Sequence, residues 1–282
     1  MAEKAAQAWR EALASWAIPQ DILDQAPEDP WHFPVELFAS RADAAREEIT
    51  ESNRRALEAL PVGGAVLDVG CGAGAAALAL VPKAGRLIGV DQSEEMLAEF
   101  LKRATAAGVS AQAVQGRWPD ASEKTPVAEV VVCHHVLYNV PDLPAFAIAL
   151  TSHARRRVVV EITAIHPQSN LNELWLRFHG LVRPTEPTAD DAVAVLREVG
   201  LEPRRGQWTA VRRGGFSRRE DLVAWVRRML CLPAERDPDV DAALGEHVVE
   251  VGGRIMLPDR PVVTLWWSGT AEDHQKADSG ER

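Results

Sequence analysis

The run Val66-Leu67-Asp68-Val69-Gly70-Cys71-Gly72-Ala73-Gly74 is the part of the sequence best suited to hold a ligand. Glycine-rich backbone turning from a strand into a helix lets a ligand approach the main chain with no side chain in the way. Asp68 stands two residues before the first glycine. A carboxylate there suits a cationic group, such as the amino group of a methionine moiety, and is badly placed for an anionic pyrophosphate. Asp91 closes Ile88-Gly89-Val90 and lies 21 positions after Gly70. An acidic residue at that distance takes ribose hydroxyls in nucleotide-binding folds. A dinucleotide-binding turn would place glycine at 75, where this chain has Ala75. A small residue is tolerated there, so Asp68 is the better discriminator between the two ligands.

These residues need a frame. Between Ala65 and Thr163 the pattern alternates short β-rich runs with helical ones, which predicts a parallel sheet. Strands are expected at Ala65–Val69, Arg86–Val90, Ala111–Gln115, Glu129–His134 and Val158–Thr163. Helices are expected at Ala73–Val81, Ser93–Ala107, with Ser93 as N-cap, and Leu143–Ala154. Before this region, helices are expected over residues 2–17 and Arg41–Leu60, separated by a Pro-rich aromatic loop, Pro27–Pro34. After it come helices at Ser169–His179, Thr188–Glu198 and Ser217–Leu230, a weaker strand at Gln207–Arg213, and a strand at Val262–Trp267. The last dozen residues are polar and read as disordered.

The 282 residues are 46% hydrophobic and 26% charged, the balance of a chain with a real core. A net charge of −10 disfavours long-range attraction to nucleic acid or an anionic membrane. Thr151–Leu232 runs against this trend, with 14 Arg against 9 acidic residues. That excess fits solvated helix faces, or a pocket for an anionic group matched by a guanidinium fork. Three cysteines without zinc spacing argue against a disulfide framework and for a reducing cytoplasm. The N-terminal stretch lacks the pattern of a signal peptide. The apolar run Val62–Val81 holds five glycines and Asp68, which suits strand, turn and helix better than a membrane span. His and acidic residues do not cluster at metal-ligand spacing, so no metal is expected.

The glycine run, followed by Gly89-Val90-Asp91-Gln92-Ser93-Glu94-Glu95-Met96-Leu97, resembles motifs I and II of the class I S-adenosylmethionine (SAM)-dependent methyltransferases. Glu129–Asp142, with Cys133, His134, His135, Tyr138 and Pro141, resembles the fourth-strand motif of that superfamily's small-molecule (UbiE-like, methyltransferase type 11-like) group. The similarity is specific from about residue 62 to 165. Arg183–Gly200 is similar to a segment of actinobacterial members.

The resemblance implies a Rossmann-like α/β fold: a seven-stranded, mostly parallel sheet with its last strand antiparallel. SAM would lie across the ends of the first four strands and leave as S-adenosylhomocysteine. Carried over by position, Gly70, Gly72 and Gly74 line the methionine side, Asp91 holds the ribose, and Asp68 meets the methionine moiety directly or through water. Cys133 or His134 borders the reactive methyl. Cys71, Gln92, Met96, Arg117 and Trp118 complete the expected cofactor-binding set. Where many members have an acidic acceptor for the adenine amino group, this chain has Gln115-Gly116-Arg117-Trp118-Pro119. Arg117 cannot accept a hydrogen bond. Asp120, a backbone carbonyl, or Trp118 stacked on the ring are the alternatives, with core packing the plainer role for Trp118.

Methyl transfer needs a base only when the acceptor must lose a proton. His134 and His135 are the candidate catalytic residues, with Tyr138, Glu161 and His166 also in reach of that role. Side chains alternate along a strand, so the two adjacent histidines face different ways. Trp31, Phe33, Tyr138 and Trp175 are expected on the acceptor, a small molecule with apolar or aromatic bulk. The organisation expected is an N-terminal helical cap over 1–61, a SAM-binding domain over 62–269 with an acceptor-side lid at about 166–260, and a tail from 270. The protein would act as a monomer or homodimer, on an O, N or C atom of the acceptor. An RNA methyltransferase, a SAM-binding protein without transferase activity and an NAD-dependent enzyme are the other readings of the same residues.

Overall fold

The computed structural model describes residues 4–30, 49–209, 215–245, 247–258 and 260–270. Trp31, Phe33, the expected helix from Arg41 as far as residue 48, and the tail from residue 271 lie outside them.

The chain opens with α1 (Lys4–Ala14) and a short α2 (Gln20–Leu23), then α3 (Glu51–Ala59). Thr50, in extended conformation, caps α3 by accepting from the Asn53 amide, so this helix begins at Glu51 and does not run through Ile49 and Thr50. The alternating region follows as β1 (Gly64–Val69), α4 (Ala75–Leu78), β2 (Ala84–Asp91), α5 (Glu94–Ala106), β3 (Ser110–Gln115), β4 (Ala128–His134), α6 (Leu143–His153) and β5 (Ala154–Thr163). Then come α7 (Asn172–His179), α8 (Ala189–Glu198), β6 (Arg204–Thr209), α9 (Arg219–Met229), α10 (Asp237–Leu244), a hairpin of β7 (Val249–Val251) and β8 (Arg254–Met256), and β9 (Pro261–Ser268). Ser93 caps α5 as expected, and Thr188 forms a capping box with Asp191 at α8. The helix after the glycine turn is shorter than its pattern implied, with four residues before looser turns. The periodicity did not announce α10 or the β7–β8 hairpin.

Seven strands form one sheet in the order β3-β2-β1-β4-β5-β9-β6. All are parallel except β9, which runs antiparallel to both β5 and β6. This is the Rossmann-like architecture, and it explains why β4 reads as unbroken Val130-Val131-Val132: a strand covered on both faces has no solvent side. On one face α1, α6 and α8 pack on Leu67, Ile88, Val131, Val160 and Leu265. On the other, α3, α4 and α5 pack on Val66, Leu87, Val132, Val159 and Trp266. A third apolar cluster joins α7, α9 and α10 through Leu174, Trp175, Leu222, Val226 and Val240. No helix among the described residues is long and apolar enough to cross a membrane.

The strand order reverses between β1 and β4. At such a switch point the loops leaving the two strands diverge and open a crevice at the C-terminal edge. The glycine turn and the loop after β4 are those two loops.

Candidate active site

Gly70 and Gly72 take the left-handed conformation, at φ +72° and +51°, for different reasons. A side chain on Gly70 would overlap Val136, so the turn lies directly against the loop that follows β4. A side chain on Gly72 would meet nothing within 4 Å. That open space is the cradle. Asp91 holds its rim: one carboxylate oxygen accepts from the Gly72 amide (2.9 Å), the other from the Ser93 amide (3.0 Å). Each oxygen keeps a lone pair for a further donor, such as a hydroxyl.

Asp68 is buried at the end of β1 and accepts from the Ala77 amide in α4 at 3.1 Å. Burial pushes its carboxyl up to about 7, the Ala77 amide pulls part of this back, and the charge of Asp91 adds to the rise. Two acids thus face one crevice, and no lysine or arginine pairs with either among the described residues. A ligand with an ammonium and a sulfonium would supply the positive charge that no described lysine or arginine brings to either acid. The residues present therefore fit SAM.

The rest of the expected cofactor set divides. Gly74 caps α4, Met96 is half-buried with its amide held by the Ser93 hydroxyl, and Gln92 and Arg117 are exposed. Cys71 is buried beside Gly89, and burial together with Asp68 and Asp91 raises its thiol well above the ordinary range. Two residues of that set lie in the core. Trp118 is a core residue: its indole N–H donates to the Phe146 carbonyl (3.4 Å) and its ring meets His153 edge-on. Cys133 is fully buried among Val131, Leu137 and Phe146 on the α6 side, because alternation along β4 turns it away from His134.

The other half of the crevice is built by register. His134, Glu161 and Thr264 are neighbours across β4, β5 and β9. Ser52, from the first turn of α3, brings its hydroxyl to 2.7 Å from that of Thr264, and the Trp208 indole N–H donates to Thr264 at 2.9 Å. His135 follows in left-handed conformation at φ +59°, a strained position for a side chain that bulky. Two bonds to one residue hold it there. Its amide donates to the Glu161 carbonyl (2.8 Å), and its Nε2 lies 2.9 Å from Glu161 Oε1. Burial alone would raise the Glu161 carboxyl; the imidazoles of His134 and His135, with a smaller contribution from Ser52, outweigh it and hold it at about 2. His134 is mostly buried and shifts downward through burial. His135 is about half exposed.

The remaining candidates have structural partners. The Tyr138 hydroxyl bonds the Thr163 hydroxyl (2.5 Å) and accepts from the Thr163 amide, tying the loop after β4 to the end of β5; burial pushes the phenol upward. That places Tyr138 as a strut and not on an acceptor. Trp175 is buried in the α7–α10 cluster, its ring covered by His179 and by the Arg183 guanidinium 5.1 Å away, so it too is withdrawn from an acceptor. His166 stacks on Trp16 at 3.7 Å and is lowered to about 3 by burial and by the charges of Arg260 and Arg183. In the Arg-rich segment, Arg155, Arg157, Arg205, Arg218, Arg219 and Arg227 each pair with a carboxylate of the chain itself. Arg183 donates to the Trp16 and Ala17 carbonyls just beyond α1. A groove of about 600 Å³ lies at the opposite edge of the sheet, lined by Val62, Arg86, Glu129 and Arg155, away from the glycine turn and the His135–Glu161 pair. Sequence reasoning missed Ser52 and Thr264. The one trace of the latter was a hydroxyl amid an otherwise apolar strand, Val262–Trp267.

A family model for a methyltransferase domain matches residues 66–157, the segment that carries the glycine turn, Asp91 and the loop after β4. Among solved structures, the YcgJ protein from Bacillus subtilis is 19% identical, with a TM-score of 0.53 over 79% of this chain and 98% of that one. A putative methyltransferase from Bacillus halodurans is 16% identical, with a TM-score of 0.50 over 78% of this chain and 99% of that one. A magnesium protoporphyrin IX methyltransferase from Synechocystis, crystallised with S-adenosylhomocysteine, is 14% identical over 95% of this chain and 100% of that one, with a TM-score of 0.49. No curated protein matches the sequence. The sheet order and the matched segment agree on the methyltransferase-type Rossmann-like fold. Residues 66–157 are thus similar to a methyltransferase domain, set in a Rossmann-like fold shared with these structures.

Proposed function

We propose that this protein methylates an O or N atom of a small-molecule acceptor, with His135 as the proton acceptor and Glu161 as the residue that positions it. The observation that carries this reading is the 2.9 Å pair between His135 Nε2 and Glu161 Oε1, one residue before the Val136 that packs on Gly70. When bound, SAM supplies a methyl group activated by a sulfonium. The chain's own residues have the other tasks. Asp91 and the Gly72 amide hold the ribose side, and Asp68 balances the amino group. Glu161 accepts from His135 Nε2, which leaves Nδ1 with its lone pair free to take a proton from the acceptor. The strained backbone at His135 fixes that ring in place before the acceptor arrives, as an alignment-driven reaction requires. In this reading residues 62–269 form the catalytic domain, with the 166–260 insertion and the N-terminal 1–61 on the acceptor side. An overall charge of −10 favours a small acceptor over RNA.

The test is calorimetric titration with SAM, S-adenosylhomocysteine and NAD, followed by a mass-spectrometric screen for methylated products. Micromolar SAM binding and products whose formation falls in His135→Gln support the reading. Turnover unchanged in His135→Gln across acidic and neutral pH would remove the base assignment.

A further inference from the structure

Beside the His135–Glu161 pair are two buried polar atoms that the protein leaves unsatisfied. Glu161 Oε2 and His134 Nε2 are both closed to solvent and have no hydrogen-bond partner among the described residues. The nearest approach between the two side chains is 3.9 Å, from His134 Nδ1 to Glu161 Oε2, too long for a hydrogen bond. An unpaired buried carboxylate oxygen is costly, and native proteins rarely tolerate one without a purpose. The hydroxyls of Ser52 and Thr264 border the same row, and their bond to each other, with Trp208 donating to Thr264, keeps them in place. No lysine or arginine pairs with Glu161 among the described residues; its only charged-capable neighbours are the two imidazoles. One of these is buried and disfavours its charged form. The row therefore leaves one carboxylate oxygen without an N–H donor.

We propose that this row is an acceptor subsite for a protonated amino group, which donates to Glu161 Oε2 and is flanked by His134, Ser52 and Thr264. The amine lies next to the atom that is methylated and orients it toward His135. This rests on the functional reading above and narrows it: the acceptor class is small molecules bearing an amine, not carboxylic acids. It also agrees with the solvated-face reading of the Arg-rich segment, since the arginines named above are already paired within the chain.

Three fragments that differ only in the group at issue, benzylamine, benzyl alcohol and benzoate, test the subsite. Their binding is measured by ligand-observed NMR to the wild-type protein with and without S-adenosylhomocysteine, and to Glu161→Gln. Benzylamine is expected to bind about tenfold tighter than the alcohol, as one charge-assisted hydrogen bond allows, with benzoate weakest. Glu161→Gln is expected to remove that tenfold preference. The ¹⁵N signals of the His134 ring are expected to shift with benzylamine. Equal binding of all three, a preference for benzoate, or an amine preference that persists in Glu161→Gln would overturn the proposal. The wild-type ranking decides the matter even if the variant does not fold. Failure of S-adenosylhomocysteine to bind would instead count against the cofactor side, and the ranking on the free protein would still stand or fall by itself.

Discussion

The two halves of the sheet's C-terminal edge hold buried carboxylates in opposite states. Asp68, at the end of β1, is pushed up to about 7, whereas Glu161, on β5, is held at about 2. Both are buried, so burial is not the difference. Asp68 has one backbone amide and another acid for company, while Glu161 has two imidazoles. The first half has no base of its own. The second has its own bases in place and is already charged. A single crevice thus pairs a charge-deficient cofactor side with a prepared acceptor side, and substitutions should separate the two.

The largest effect is expected from His135→Gln. Turnover should fall by about 10²–10⁴-fold, the range for loss of a general base, with S-adenosylhomocysteine affinity nearly unchanged. Comparable losses in both would show that the halves are not separable. Asp91→Ala should weaken SAM binding by about 100-fold by calorimetry, as two charge-assisted hydrogen bonds would allow. Its apo melting temperature should fall as well, because the Gly72 and Ser93 amides lose their partner.

Asp68→Asn should move affinity and stability in opposite directions. The folded carboxyl titrates above its unfolded counterpart, so the ligand-free folded state binds more protons and loses stability as pH rises from about 4 to about 7. Removing the charge should raise the apo melting temperature at pH 7.5 and weaken SAM binding by about tenfold. A lower melting temperature would contradict the direction given for Asp68. Glu161 has the reverse sign: its stabilisation is present above its unfolded value and fades as pH falls toward about 2. Glu161→Gln should therefore flatten the acid limb of a stability profile that Asp68→Asn leaves intact. The smallest effect belongs to Tyr138→Phe. Losing the bonds to Thr163 should cost about 1–2 kcal/mol by denaturant unfolding and lower turnover modestly through a looser loop after β4.

How far the sequence discloses each half follows from the distance over which each is built. The glycine turn, Asp68 and Asp91 lie within one strand–helix–strand unit, so spacing alone locates them. The Ser93 cap and the alternation of strands and helices are equally local. The acceptor side is made by register between β4, β5 and β9 and by one turn of α3. Ser52 and Thr264 are 212 positions apart in sequence, and nothing in either neighbourhood points to the other. The same limit explains Trp118, Tyr138 and Trp175. Their composition suggests a ligand surface, but only the fold shows that Phe146, Thr163 and Arg183 already occupy them. His134 and His135 could be named from sequence. Which one hydrogen-bonds a carboxylate could not.

The antiparallel strand β9 has a consequence for how the protein is made. It lies between β5 and β6 and is the only strand that joins them among the described residues. At synthesis rates of about 5–20 residues per second, β6 leaves the ribosome seconds before β9 can reach it, and the flank of β5 stays bare for longer. During that interval the nascent chain exposes the hydrogen-bonding edge of Val158–Ile162, a segment apolar but for Glu161 and suited to pairing with the wrong partner. Thr264 also arrives only with β9. The nucleotide-side half of the crevice can thus form early in translation, while the acceptor-side half is completed among the last steps of folding.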